Sequence, residues 1–219
     1  MRVSREEKNR SHERIVEGAA RIMRERGLDN TSVADVMTEA GLTHGGFYRH
    51  FGAKATLLES ALERAFDEAI ATLEGGPEDE FPGAVAAYFD RYLSRGHLEN
   101  PGIGCPVAAL GGDIARGDGS LKAAFGKGVN RFIAAVAKGM TGSSTEKRAK
   151  AARKLAMMAG AVTIARASDA ETADFLLSAC RDPARPARIS PARTARDAME
   201  RTFPSGSLHA SWRSPVHCE

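Results

Sequence analysis

Residues 31 to 58, TSVADVMTEAGLTHGGFYRHFGAKATLL, read as two short helices, a tight turn and the start of a third helix. No other stretch of the chain narrows the fold so far. Ser32, followed three residues later by Asp35, resembles a capping box and opens the first short helix. Val33, Val36, Met37 and Ala40 of that helix recur on one face. Gly41 stops it, Leu42 seals the turn from below, and Thr43 has the side chain to cap a second helix through His44, Gly45, Gly46, Phe47, Tyr48 and Arg49. Each of two adjacent glycines costs a helix interior about 1 kcal/mol relative to alanine. Such a pair is useful where a backbone must approach another surface closely. Between Ala40 and Leu58 there is no Asp or Glu, while His44, Arg49, His50 and Lys54 are present, so a polyanion meets no carboxylate there. This is the layout of a helix-turn-helix that reads DNA.

With these residues in view, the segment resembles the N-terminal domain of the TetR/AcrR family of bacterial transcriptional regulators. The family's pattern places a small hydroxyl residue, a glycine, an aromatic-Tyr pair, His-Phe and then a lysine. Here these are Thr43, Gly45, Phe47-Tyr48, His50-Phe51 and Lys54. The resemblance implies that Thr43, His44 and the Gly45-Gly46 backbone face the major groove, with Ser32 at the edge of the same surface. It implies that Tyr48, His50 and Lys54 meet phosphates and that Phe47 and Phe51 anchor the reading helix. Arg49 stands where the family varies, and its contact with base or phosphate is left open.

Helical periodicity runs through most of the chain and strand alternation is absent, so the fold class is all-α. A first helix from about Arg5 to Arg26 buries Ile15, Ala19, Ile22 and Met23 and ends at Gly27. A fourth, from Ala53 to about Leu73, carries Leu58, Leu62, Ala65, Phe66, Ala69 and Leu73 on one face, and Gly75-Gly76-Pro77 breaks the chain after it. The expected organisation is a three-helix DNA-binding domain over residues 1–52, a connecting helix over 53–74, and a helical ligand-binding and dimerisation domain over 75–180. The remaining 181–219 are expected to form a disordered tail: they carry arginines, prolines and Trp212 without apolar periodicity.

In the second domain Phe81, Val85, Tyr88, Phe89 and Tyr92 give one helix an aromatic face, readable as core packing or as the wall of an effector cavity. GCPVAAL, from Gly104 to Leu110, opens a further helix with Pro106 in its first turn and resembles a segment of the ligand-binding domain in one branch of the same family. Phe81, Tyr88, Phe89, Tyr92 and Phe132 are the expected lining, with Cys105 beside them at a helix start, where the dipole lowers a thiol pKa. Helices are also expected at about 121–138 and 146–166, the latter capped by Ser143 and Glu146, and after a second box from Ser168 to Glu171.

Bulk composition excludes little. Net charge is only +3, so the nucleic-acid reading rests on motif and local distribution. Cys105, Cys180 and Cys218 form no CxxC or zinc spacing, the N-terminus is too polar for a signal peptide, and no apolar run is long enough to span a membrane. These features fit a reduced, cytoplasmic protein with no metal and no cofactor. An enzyme is the competing class, a hydrolase using Cys105 with His97 as base, but no catalytic motif accompanies the pair. The resemblance to the TetR/AcrR family therefore implies a homodimeric, non-enzymatic repressor that holds palindromic double-stranded operator DNA and is released by a small apolar effector. A thiol-based redox or electrophile sensor at Cys105 is the alternative.

Overall fold

The structure is a computed structural model that describes residues 5–75, 81–117 and 119–181, without the side chains of Phe81 and Pro82. The expectation for the 181–219 tail falls, beyond its first residue, outside the described residues. All regular elements among the described residues are helical: α1 Arg5–Arg26, α2 Val33–Glu39, a 3-10 helix His44–Arg49, α3 Lys54–Glu74, α4 Phe81–Tyr92, α5 Arg95–Glu99, a 3-10 turn Pro101–Ile103, α6 Pro106–Arg116, α7 Gly119–Lys138, α8 Ser144–Arg166 and α9 Ala170–Ala179.

The glycines end the early helices as their conformational freedom allows. Gly27 stands at φ +82° and Gly41 at φ +66°. After α2 the Gly41 N–H donates to the Thr38 carbonyl (3.0 Å) and the Leu42 N–H to the Met37 carbonyl (2.9 Å), which is the paired closure of a Schellman turn. The domain core forms where α1, α2 and α3 meet: Ile15, Ala19, Ile22 and Met23 pack with Val36, Met37, Phe47, Phe51, Leu58 and Leu62, all buried. Full burial of each large apolar side chain is worth about 1.5–3 kcal/mol.

α3 continues out of this core and packs along α7. There Gly128 makes room for the Phe66 ring, with which a β-carbon at 128 would collide. The α1 terminus is tied to the second half of the chain. The Leu28 N–H donates to Asp113 Oδ2 of α6 (3.1 Å), and the buried Arg24 pairs with Glu68 of α3 (2.7 Å) and donates to the Gly104 carbonyl just before α6 (3.4 Å).

Two local expectations need correction. The segment after Thr43 is a 3-10 helix of 6 residues, and Thr43 makes no side-chain capping bond. In so short a segment with two glycines, the tighter i to i+3 ladder suffices, Gly46 N–H to Thr43 O (2.9 Å) and His50 N–H to Phe47 O (2.9 Å). At α9 the cap is Asp169, whose carboxylate accepts the Thr172 N–H (2.8 Å), while Ser168 turns back to donate to the Ile164 carbonyl (2.8 Å). A five-residue α5, capped by Ser94, follows α4.

Candidate nucleic-acid interface and sensor core

α2 and the 3-10 helix present the first set of candidate residues. Ser32, Thr43, His44, Gly45, Tyr48, Arg49 and Lys54 are exposed, and Gly46 and His50 are partly covered. Tyr48 is 72% exposed although its neighbours Phe47 and Phe51 are buried and stacked at 5.7 Å. The aromatic anchors thus hold the turn from inside while Tyr48 projects outward. A β-carbon on Gly45 would meet nothing within 4 Å, whereas one on Gly46 would touch Met37 Cε at 3.4 Å. Nothing inside the protein requires glycine at 45.

The carboxylates bordering this surface are engaged. Asp35 accepts from the Ser32 hydroxyl (2.8 Å) and lies 3.8 Å from Arg26, and Glu39 pairs with Arg21 (2.5 Å). His50 is wedged against His12, with ring centroids 5.9 Å apart, and its Nδ1 is enclosed without a partner. Burial first, then the nearby His12, Lys8 and Arg49, lower its pKa, so its imidazole is neutral at pH 7.

The second set meets in the core of the other half. Tyr88, Tyr92 and Phe132 are buried and mutually packed, Tyr88 lying 5.8 Å from Phe132 and 6.0 Å from Tyr92 between ring centroids. Phe89 sits at the margin beneath Lys154, whose Nζ is 5.2 Å from its ring. The Phe81 side chain is outside the described residues. Cys105 is buried beside this group as the N-cap of α6.

Of the two states open to that thiol, packing favours the inert one. Burial raises the Cys105 pKa, and this outweighs the opposing pull of Tyr92, the Val107 and Ala108 amides and Arg24. A helix N-terminus favours the thiolate, but complete enclosure costs it more. Nor is there a Cys-His pair for catalysis. The Cys105 N–H, not its thiol, donates to His97 Nε2 (3.1 Å), and His97 Nδ1 donates to the Tyr92 carbonyl (2.7 Å). Both ring nitrogens are committed to backbone, which fixes the tautomer. Burial pushes the His97 pKa down to about 4, with Arg166 adding to the fall and the Tyr92 carbonyl opposing it. Two further residues went unnoticed in the sequence, Arg24 and Arg166, because arginines at helix ends usually lie in solvent. Arg166 instead donates to the carbonyls of Leu98 (3.1 Å) and His97 (2.8 Å).

A short exposed turn pinned by buried aromatics to a three-helix core, followed by a second helical half, has the layout of a helix-turn-helix regulator, and the N-terminal part of the chain is similar to the TetR family of bacterial transcriptional regulators. Residues 15–61 match the model of the family described as bacterial regulatory proteins, tetR family. Among curated relatives, the uncharacterized HTH-type transcriptional regulator MT0206 of Mycobacterium tuberculosis is 33% identical over 102 residues, 45% of this chain and 50% of that protein. The HTH-type transcriptional regulator TtgR of Pseudomonas putida is 36% identical over 63 residues, 29% of this chain and 30% of that protein. The chain spans at most about half the length of these relatives. In fold it is similar to E. coli NemR in its reduced form, with a TM-score of 0.62 at 20% identity over 78% of this chain and 95% of that one. A putative TetR-family regulator from Rhodococcus sp. superposes with a TM-score of 0.60 at 20% identity over 78% and 96%. No helix among the described residues is long and apolar enough to cross a membrane.

Proposed function

We propose that the protein is a dimeric, effector-responsive DNA-binding repressor. Its α2 and 3-10 helix enter the major groove of a palindromic operator. Thr43, His44 and the Gly45-Gly46 backbone approach bases, Tyr48 and Lys54 meet phosphates, and Arg49 and Ser32 flank them. One observation carries this reading: Gly45 is exposed, has open space where a side chain would be, and sits in a stretch of chain, residues 40–58, without a carboxylate. Its missing side chain serves a partner outside the chain.

Two reading heads must lie about 34 Å apart to enter successive major grooves, so a dimer is required. The exposed face of α8 and α9 supports one. Met157 and Ile164 are exposed on α8, Phe175 on α9 is 69% exposed, and a β-carbon on Gly160 would meet nothing within 4 Å. A stripe of apolar and small residues at helical spacing suits close packing against a second copy. The effector would occupy the aromatic core around Tyr88, Tyr92 and Phe132, and its binding would select a spacing of the reading heads that no longer fits the operator. The enclosed, protonated Cys105 thiol favours reversible binding over a covalent thiol switch.

Gly45→Ala tests the interface. Inside the protein it should leave stability unchanged within about 0.5 kcal/mol or raise it slightly, because alanine is the better helix former and nothing clashes. DNA affinity should nevertheless fall by at least about tenfold, as the added methyl holds the backbone off the groove. Unchanged affinity in fluorescence anisotropy would remove this surface from the interface.

A further inference from the structure

The aromatic core contains two hydrogen-bond donors without a strong acceptor. Tyr92 is 3% exposed, and its hydroxyl is shut off from solvent with no partner in good hydrogen-bond geometry, only the Cys105 thiol, a weak acceptor, lying beside it. Nη1 of Arg166 is likewise enclosed and empty. The rest of Arg166 is fixed, since Nε and Nη2 donate to the carbonyls of Leu98 and His97. The ring of that same His97 lies 4.4 Å from the Tyr92 ring and is held at both nitrogens by backbone. A donor on α4 and a donor on α8 are thereby mounted on one frame, and each lies within electrostatic reach of the other and of Cys105.

Charge indicates what is missing. The buried Arg24 has Glu68 at 2.7 Å, whereas among the described residues no carboxylate pairs with Arg166, which is partly buried with Nη1 enclosed. A guanidinium stays protonated in proteins, and drawing part of it out of water favours a counter-charge beside it. Resident groups do not supply one. His97 is neutral with both nitrogens spent, and burial keeps the Cys105 thiol protonated. Buried donors without acceptors are rare in native proteins, so the absent group is an acceptor, and an anionic one. Around it stand the Tyr88 and Phe132 rings, which suit an apolar body.

We infer that the Tyr92 hydroxyl and Arg166 Nη1 form the head-group site of a small organic carboxylate, whose apolar body lies toward Tyr88 and Phe132. The inference rests on the effector-responsive reading above and narrows the effector to one chemical class. One carboxylate oxygen would accept from the tyrosine and the other from the guanidinium.

The test titrates the full chain, without DNA, with hexanoate and benzoate and with their neutral counterparts hexanamide and benzamide, by calorimetry and thermal unfolding. The acids should bind at least about tenfold more tightly than the amides. Tyr92→Phe, which removes one oxygen atom, should weaken acid binding by about ten- to a hundredfold, the worth of a hydrogen bond to a charged group. Arg166→Gln should abolish the preference for acid over amide. If Arg166→Gln does not fold, Tyr92→Phe decides alone. The inference is overturned if neither acid binds at about 10 mM, well above a millimolar Kd, or if Tyr92→Phe binds the acids as tightly as the parent. In either case the two donors hold water only. A parallel anisotropy titration on DNA separates the two readings. Failure of the chain to bind DNA counts against the regulator, while the acid titration still decides the site. Acid binding that leaves DNA affinity unchanged supports the head-group site and overturns its role as the sensor.

Discussion

Replacing Glu68 by glutamine should destabilise the protein more than replacing Arg24 by methionine, although both changes break the same ion pair. The Arg24 side chain is 3% exposed and the Glu68 side chain 32%. Glu68→Gln therefore strands a buried guanidinium whose Nε already lacks a partner and whose other contact, the Gly104 carbonyl, is long at 3.4 Å. Breaking a fully buried pair by removing one partner costs about 3–5 kcal/mol. Partial exposure of Glu68 and the hydrogen bond a glutamine oxygen can still accept reduce this to about 2–3 kcal/mol. Arg24→Met keeps the apolar stem and leaves Glu68 in reach of solvent and of Arg64, 3.0 Å away, so its cost should be about 1 kcal/mol. For a chain of this size each kcal/mol shifts Tm by about 2–4 °C. Thermal and urea unfolding should place the glutamine variant below the methionine variant by roughly 2–8 °C. The reverse order would refute the argument that the enclosed charge, and not the pair as such, governs the cost.

Acid should destabilise the fold through His97. Its folded pKa, about 4, lies below the unfolded value of 6.5, so between these limits the unfolded chain binds the extra proton. This contribution is fully present above pH 6.5 and is lost as pH falls toward 4, up to about 3 kcal/mol. In His97→Gln the slope of stability against pH over that window should shrink by about one proton, and an unchanged slope would count against the buried neutral imidazole. At the α8–α9 face, Ile164→Asp with Phe175→Asp should yield folded monomers with weakened DNA binding, since both side chains are exposed in the single chain. Sedimentation showing an intact dimer in that double variant would move the interface elsewhere.

The parts legible in the sequence were those fixed by neighbours a few residues away. Gly27 and Gly41 end their helices at positive φ as their positions suggest. The box at Ser143 closes in both directions, Ser143 N–H donating to Glu146 Oε2 (2.8 Å) and Glu146 N–H to Ser143 Oγ (3.4 Å). Ser168 and Asp169 are adjacent residues of equal capping aptitude, and sequence alone does not rank them. The core around Tyr88 and Tyr92 was legible only as a collection of aromatics. Arg24 meets Gly104 and Arg166 meets His97 across separations of 80 and 69 residues, which no local pattern announces. The state of Cys105 was open in the sequence for the same reason: the helix start that favours the thiolate is visible there, whereas the enclosure that disfavours it is a property of the packed fold.

The central claim is that two copies of the exposed turn from His44 to Arg49 read successive major grooves of one duplex. Its most direct measurement is selection of bound duplexes by the full chain from a randomised DNA pool, followed by sequencing. The account predicts enrichment of an inverted repeat whose half-site centres lie one helical turn apart, about 10–10.5 base pairs, or a multiple of it. Gly45→Ala should lose that enrichment. Recovery of no common sequence, or of a single asymmetric half-site bound equally well by Gly45→Ala, would contradict it.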